Sequence, residues 1–213
     1  MAAKGEPPRS FSQLLAVVLF VLSAVSLVTA VVLPFSRLTQ TDAVVRLNVA
    51  PLESHLVLET APGLPEGVAL APTSEEGLTV DAVANPDGSD EVPPAGLRLL
   101  GALGTSVWGL ALALIAFLLG RIVFTVGRGD PFNPANPVRF IAMSLTVIIG
   151  SLAADTLNWL AASAFYDHYS LQPPLEVVAY YSWTPILLGA LVLILAEAFR
   201  SGRHLARDTE GLV

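Results

Sequence analysis

Few residues in this chain have the types and spacing that chemistry requires. Asp155 and Asn158 lie three positions apart in an apolar run, so on a helix they share one face. Ionisable groups inside a membrane helix often face the bundle interior and contact an ion or ligand. At the helical rise of ~1.5 Å per residue, Asp155 lies about 26 Å from Val138, near the outer interface. A structural or interfacial role therefore competes with a binding role for this pair.

The residue types of metal sites and nucleophilic sites do not come together in the sequence. The chain has no cysteine, which excludes disulfides, thiolate metal sites and Cys nucleophiles. Asp87, Asp90 and Glu91 do not fit a calcium loop, because Val92 stands where that loop needs glycine. The three histidines lie in three separate segments, at His55, His168 and His204. We predict no catalytic residue, no metal and no cofactor, and a protein that is not an enzyme.

A polar stretch at 127–136, rich in Gly, Pro and Asn, lies between two apolar runs. Its glycines before a helix resemble a phosphate loop, but the pattern G-x-x-x-x-G-K-[ST] is missing and Asp130 would repel phosphate. We predict a turn in which Asp130 accepts backbone N–H groups and Phe132 inserts into the membrane interface. Asn136 is the predicted N-cap of the next helix, with Pro137 in its first turn.

The composition is that of a membrane protein. Hydrophobic residues make up 54% of the 213 positions and charged residues 14%, whereas soluble domains carry about 25% charged residues. The first apolar run, 11–33, is longer than the core of about 7–15 residues expected of a signal peptide, so we predict a retained helix. The predicted segments are 1–33 (cytoplasmic N-terminus and helix 1), 34–98 (acidic insert), 99–126 (helix 2), 127–136 (cytoplasmic loop), 137–163 (helix 3), 164–176 (outer loop), 177–199 (helix 4, with Pro185 as a kink) and 200–213 (cytoplasmic tail).

The insert at 34–98 differs sharply from the rest of the chain. It holds ten acidic and three basic residues, which accounts for the whole net charge of −7, and eight of the sixteen prolines. This acidity argues against direct nucleic-acid binding. Alternation of residue types predicts strands at 42–49, 53–59 and 78–83. The predicted fold class is an all-α membrane bundle of four transmembrane helices with a small β-rich extracytoplasmic insert, which depends on the helices for stability.

The basic residues predict the orientation. Eight of the eleven lysines and arginines fall in the predicted inside segments and three in the outside segments. We therefore predict a multi-pass protein of the cell (inner) membrane with both termini in the cytoplasm.

Several charged side chains near the predicted inner surface could carry a specific contact. Arg121 and Glu197 are predicted at similar depth, where a salt bridge between helices 2 and 4 competes with a switchable contact to a partner. Arg121 could instead reach lipid head groups. Three arginines follow helix 4 at helical spacing and suit either anionic lipid or a docking tail for a cytoplasmic protein: Arg200, Arg203 and Arg207.

Two short motifs carry a family resemblance. One is Gly129-Asp130-Pro131-Phe132 followed by Asn136; the other is Glu197-Ala198-Phe199-Arg200-Ser201-Gly202, continued by Leu205 and by Asp208-Thr209-Glu210-Gly211-Leu212-Val213. With four helices and an insert after the first, the chain resembles the bacterial membrane family called domain of unknown function 2975. That family has no established activity. Its members are often encoded beside a small helix-turn-helix regulator, so the resemblance implies a regulatory partner.

The leading prediction is a non-enzymatic membrane protein that serves as a regulatory or interaction subunit. Its partners would be the lipid bilayer and a cytoplasmic regulatory protein at the 127–136 loop or the C-terminal tail. The alternative is a small transporter or channel component, for which Asp155 and Asn158 are too few and too shallow to form a polar path. A homo-oligomer with a pore on its axis is a further alternative that the sequence leaves undecided.

Overall fold

The structure is a computed structural model that describes residues 9–40, 42–48, 68–72, 79–84, 92–170, 177 and 179–210. Within these residues it contains long helices and one small sheet. In chain order the elements are α1 (Arg9–Thr39), β1 (Ala43–Asn48), β2 (Val68–Pro72), β3 (Thr79–Ala84), α2 (Ala95–Gly127), α3 (Ala135–His168) and α4 (Trp183–Glu210).

Each helix contains a stretch long and apolar enough to cross a membrane. These stretches are Phe11–Thr39, Ala95–Gly127, Ala135–His168 and Trp183–Gly202. Many large apolar side chains on them are exposed, among them Leu187 at 68% and Val138 at 65%. A soluble monomer rarely exposes contiguous apolar surface of this extent, whereas hydrocarbon covers it without penalty. The four helices therefore point to a multi-pass membrane protein, as the composition predicts.

The helix ends differ from the predicted boundaries. α2 and α3 extend beyond 99–126 and 137–163, and α1 continues past Pro34 to Thr39. The apolar runs mark only the uncharged part of each helix, and polar residues beyond them continue the same backbone. α4 begins at Trp183 instead of 177, so Pro185 lies in its first turn, where a missing N–H breaks no helical bond. The predicted kink at Pro185 is therefore wrong.

The chain divides into two compact units, which we describe separately. The loop unit consists of Met1–Val28, Gly109–Ser151 and Ser182–Val213. The sheet unit consists of Thr29–Trp108 and Leu152–Tyr181.

In the sheet unit, β3 lies between β1 and β2 and pairs with both in antiparallel fashion. β1 and β3 match the strands predicted at 42–49 and 78–83, and the strand predicted at 53–59 lies outside the described residues. β2 was not predicted, because its sequence Val-Ala-Leu-Ala-Pro lacks polar alternation and ends in proline. An edge strand accepts that proline, since one side of its ladder needs no partner.

The sheet packs on helices of the same unit. Val45 faces Ala82 across the β1–β3 pair, and both are buried against Phe165 of α3, which is 0% exposed. The small Ala82 and the bare backbone of Gly101 on α2 allow close approach, since a Cβ on Gly101 would collide with the Val44 carbonyl oxygen. The insert thus draws its core from α2 and α3, in agreement with the prediction that it depends on the helices.

Arg98 joins the end of α1 to the beginning of α2. One nitrogen of its guanidinium donates to the carbonyl oxygens of Arg37 (3.5 Å), Leu38 (3.0 Å) and Gln40. The last carbonyls of a helix have no partner within the helix, and a cation at this end also suits the helix dipole. Arg37 in turn pairs with Asp42, at 3.7 Å, just before β1.

We expect Gly101→Ala to destabilise the protein, because the added methyl group would meet the β1 backbone instead of a movable side chain. Overpacking of this kind costs about 1–3 kcal/mol. The measurement is the unfolding midpoint in detergent, followed by tryptophan fluorescence at a fixed heating rate. The control is Gly96→Ala on the same helix, where a Cβ would meet nothing within 4 Å. Equal midpoints for the two variants would contradict the packing of β1 on α2.

Candidate functional site

The site is built around the turn that joins α2 to α3 in the loop unit. α2 ends in a Schellman motif, in which the Asp130 N–H donates to the Thr125 carbonyl (3.1 Å) and the Gly129 N–H to the Val126 carbonyl (2.9 Å). Gly129 has a φ of 83°, a left-handed conformation that glycine adopts without strain. The glycine in Gly129-Asp130-Pro131-Phe132 therefore ends a helix and gives the chain its change of direction.

The helix cap after this turn is Asn133, not Asn136. The Asn133 side-chain oxygen accepts the Ala135 N–H at 3.0 Å, and Pro134 then occupies the first helical position. The sequence contains Asn-Pro twice, at 133–134 and 136–137, and the prediction chose the second. The Asp130 carboxylate accepts the Asn133 side-chain amide at 2.6 Å, where a backbone N–H was predicted.

Asn136 has a different task, inside the structure. It is 0% exposed, and its side-chain amide donates to the Pro131 carbonyl at 3.0 Å. Its oxygen accepts from Arg139 at 2.9 Å and lies 3.1 Å from the Thr125 hydroxyl, whose proton is shared with the Ile122 carbonyl at 2.8 Å. One buried side chain therefore binds the last turn of α2, the turn itself and the first turn of α3.

The structure places Phe132 against the end of α4. Its ring centroid lies 6.4 Å from that of Phe199, which in turn lies 5.0 Å from the ring of Phe140. A Cβ on Gly202 would come within 2.7 Å of the Phe132 ring, so this glycine provides the space for the contact. Phe132 nevertheless stays 43% exposed. The two motifs that carry the family resemblance thus meet in one surface, which we call the loop–tail surface (Phe132, Phe199, Gly202).

The salt bridge predicted between Arg121 and Glu197 is not formed. Glu197 pairs with Arg200 on its own helix at 3.4 Å, and both side chains are at least 60% exposed, so this pair adds little stability. α4 turns Ala196 and Phe199, not Glu197, toward the buried cluster that includes Phe140. Chain position alone did not give the rotation of α4 about its axis, which decides the side on which Glu197 faces.

The three tail arginines lie on one continuous helix. α4 extends to Glu210, so Arg200, Arg203 and Arg207 follow one another at intervals of three and four residues. This spacing places them on one face of the helix. Arg200 is exposed, and the side chains of the other two lie outside the described part of the structure.

Asp155 and Asn158 belong to the sheet unit. Asn158 lines a cleft of about 170 Å³ together with Arg37, Val44 and Thr105. Its side-chain amide lies so close to α2 that a Cβ on Gly104 would collide with it. Asp155 is half-buried one turn earlier on α3. Within the described residues, no group of three or more metal-ligating side chains comes together.

Several residues of the site carried no usable sequence signal. Thr125, Gly202 and Ser144 are ordinary helix residues by sequence, yet the Ser144 hydroxyl donates across to the Gly189 carbonyl of α4 at 2.7 Å. Hydrogen bonds of this kind hold helices together where lipid removes the hydrophobic driving force. Only Asn133 had a signal, the Asn-Pro pair at a helix start.

Comparison with protein-family models, with curated proteins and with solved structures gave no match. The resemblance to the family called domain of unknown function 2975 therefore stays a hypothesis that rests on the two motifs.

We expect Asn136→Ala to be more harmful than Asn133→Ala. Loss of the buried amide leaves polar partners without hydrogen bonds, at about 1–3 kcal/mol for each unsatisfied group. Loss of the cap at Asn133 costs about 1 kcal/mol. The measurement is the unfolding midpoint of the two variants and the wild type in the same detergent. A smaller effect at Asn136 than at Asn133 would show that the buried amide does not hold the turn.

Proposed function

We propose that the chain is a non-enzymatic multi-pass protein of the cell membrane that acts as an interaction or regulatory subunit. Its cytoplasmic partner binds the loop–tail surface. The observation that carries this proposal is the contact of Phe132 with Phe199 and Gly202, which unites two distant polar segments of the chain. The two motifs that carry the family resemblance both contribute to this surface, so one binding role would explain both. A loop that only connects two helices would need neither motif.

The chemistry of this surface favours a protein partner. Phe132 offers an exposed aromatic edge, and Arg200 and the Asp130 carboxylate provide charged groups near the same segments. Aromatic residues and arginine are the side chains most often found at the energetic centre of protein interfaces. The Schellman motif and the Asn136 hydrogen bonds hold the loop in one arrangement, so binding does not have to order it. The expected partner presents an apolar side chain flanked by charges.

The proposed orientation puts both chain termini and the loop–tail surface in the cytoplasm. It rests on the excess of basic residues in the segments at 1–10, 121–139 and 200–207. The acidic insert then lies outside the cell membrane.

The absence of cysteine allows a direct test of this orientation, because every introduced thiol is the only one in the chain. We expect Val92→Cys, at a position that is 48% exposed, to react with an impermeant maleimide in intact spheroplasts. Ser201→Cys, also at an exposed position, should react only after permeabilisation. The reverse pattern would overturn the orientation and, with it, a cytoplasmic partner at the loop–tail surface.

Site-specific photo-crosslinking tests the partner. With a benzophenone amino acid at position 132 or 201, we expect one and the same cytoplasmic protein to be crosslinked in living cells. The control is position 35, near the C-terminal end of α1, where the wild-type Phe35 is 66% exposed. The purified partner should then bind the reconstituted wild type at least tenfold more tightly than the Phe132→Ala variant. Equal binding to both, or crosslinks to lipid alone, would count against the proposal.

The alternative, a transporter or channel component, has weaker support. The buried hydroxyls on the described parts of the helices donate to backbone carbonyls, as Ser106 does to Ala102 at 2.8 Å and Ser151 to Ile148 at 3.0 Å. Both bonds lie within a single helix, so they contribute to local packing and do not mark a polar path between helices. Flux into liposomes that is lost in Asp155→Asn would instead favour transport.

A further inference from the structure

A second feature of the loop unit is a cleft between α1, α2 and α3 that is distinct from the loop–tail surface. It has a volume of about 390 Å³. Its lining residues are two phenylalanines, one threonine and three arginines: Phe20, Phe124, Thr125, Arg121, Arg128 and Arg139.

The three arginines are held in place without a neutralising acid. Arg139 donates to the Arg121 carbonyl at 3.2 Å and to Asn136 at 2.9 Å, both through the same nitrogen, which leaves the other N–H groups of its fork available. The Arg128 guanidinium stacks 4.1 Å above the Phe124 ring. In the described part of the chain, none of the three forms an ion pair with a carboxylate.

This arrangement concentrates positive charge in one cleft, with no carboxylate of the described residues paired to it. Arg121 and Arg139 lie close enough for their like charges to repel one another. An anion between them would relieve that repulsion. Guanidinium forks match phosphate oxygens in geometry and bind them through paired, charge-assisted hydrogen bonds. The chemistry of the cleft therefore selects a phosphate group.

We propose that this cleft binds the phosphate of an anionic phospholipid, with Arg121, Arg128 and Arg139 on the phosphate oxygens and Phe20 and Phe124 against the apolar part of the lipid. The aromatic lining favours a lipid over a free phosphate ion, which has no apolar part. The three arginines of the cleft lie at or near the ends of α2 and α3 that the loop joins, and lipid head groups are found at the ends of membrane-spanning helices. Three cations also favour a lipid with net negative charge, because they repel the ammonium group of phosphatidylcholine.

Close packing of α1 on α2 forms one side of the cleft. The Phe20 ring packs directly on Gly120, where an added Cβ would lie 3.0 Å from the ring. The centroid of the Phe20 ring also lies 5.8 Å from that of the Phe117 ring on α2. These contacts hold Phe20 in place as one wall of the cleft. The lipid site rests on these contacts and does not require that a protein partner exist.

Native mass spectrometry of the detergent-purified full chain, titrated with equal amounts of phosphatidylglycerol and phosphatidylcholine, tests the proposal. We expect the wild type to retain several-fold more phosphatidylglycerol than phosphatidylcholine. The double variant Arg121→Gln/Arg128→Gln should lose about tenfold in phosphatidylglycerol retention, consistent with removal of charge-assisted contacts. The matched control is Arg37→Gln, an arginine of α1 that pairs with Asp42 in the sheet unit and lies outside the cleft, which should retain lipid as the wild type does.

The other outcomes decide against the proposal. Equal retention by the double variant and the wild type, or equal retention of the two lipids, would overturn it. If millimolar inorganic phosphate displaces the lipid, and the Phe20→Ala variant retains as much phosphatidylglycerol as the wild type, the cleft binds a soluble phosphate instead. If the double variant does not fold, Arg128→Gln alone provides the same comparison, because within the described residues the Arg128 guanidinium stacks on the Phe124 ring and donates to no backbone carbonyl.

Discussion

One buried amide sets the geometry of the loop unit. Asn136 binds the turn through Pro131, α3 through Arg139 and α2 through Thr125, so none of the three can shift without the loss of a buried hydrogen bond. In a low-dielectric interior such a loss is expensive, because no water replaces the missing partner. The position of Phe132 beside α4 and the position of Arg139 beside Arg121 both follow from this side chain. The loop–tail surface and the arginine cleft therefore share one support.

Packing around that support depends on small residues more than on large ones. In the loop unit, Gly120 admits the Phe20 ring and Gly189 admits Ile148, while the Ser23 hydroxyl donates to the Ala113 carbonyl of α2 at 2.8 Å. In the sheet unit, Gly104 admits Asn158 in the same way. Helices surrounded by hydrocarbon gain nothing from burial of apolar area against one another, so close approach and hydrogen bonds take its place. This explains why many large apolar side chains of the helices point outward.

The sequence predicted the helices because spanning segments obey one strong rule, a long apolar run without charges. It predicted the helix ends poorly, because those depend on partners distant in the chain, as α1 depends on Arg98. The error at Glu197 has a related cause, since chain position gives the depth of a residue but not the side of the helix on which it faces. The cap was mistaken because Asn133-Pro134 and Asn136-Pro137 carry the same local signal, and only tertiary contacts distinguish them. Gly202 could not be identified at all, because its value lies in a ring that comes from another part of the chain.

The contact of Arg98 with the end of α1 also has a consequence for synthesis. The carbonyls that it binds lie 58 to 61 positions earlier in the chain. The ribosome therefore completes α1 well before it makes the residue that caps it, and the last turn stays incomplete until the start of α2 has emerged. The residues between α1 and α2 must be synthesised before the hydrogen bonds of Arg98 can form. The end of α1 therefore depends on a residue that the ribosome adds only after the whole insert has been made.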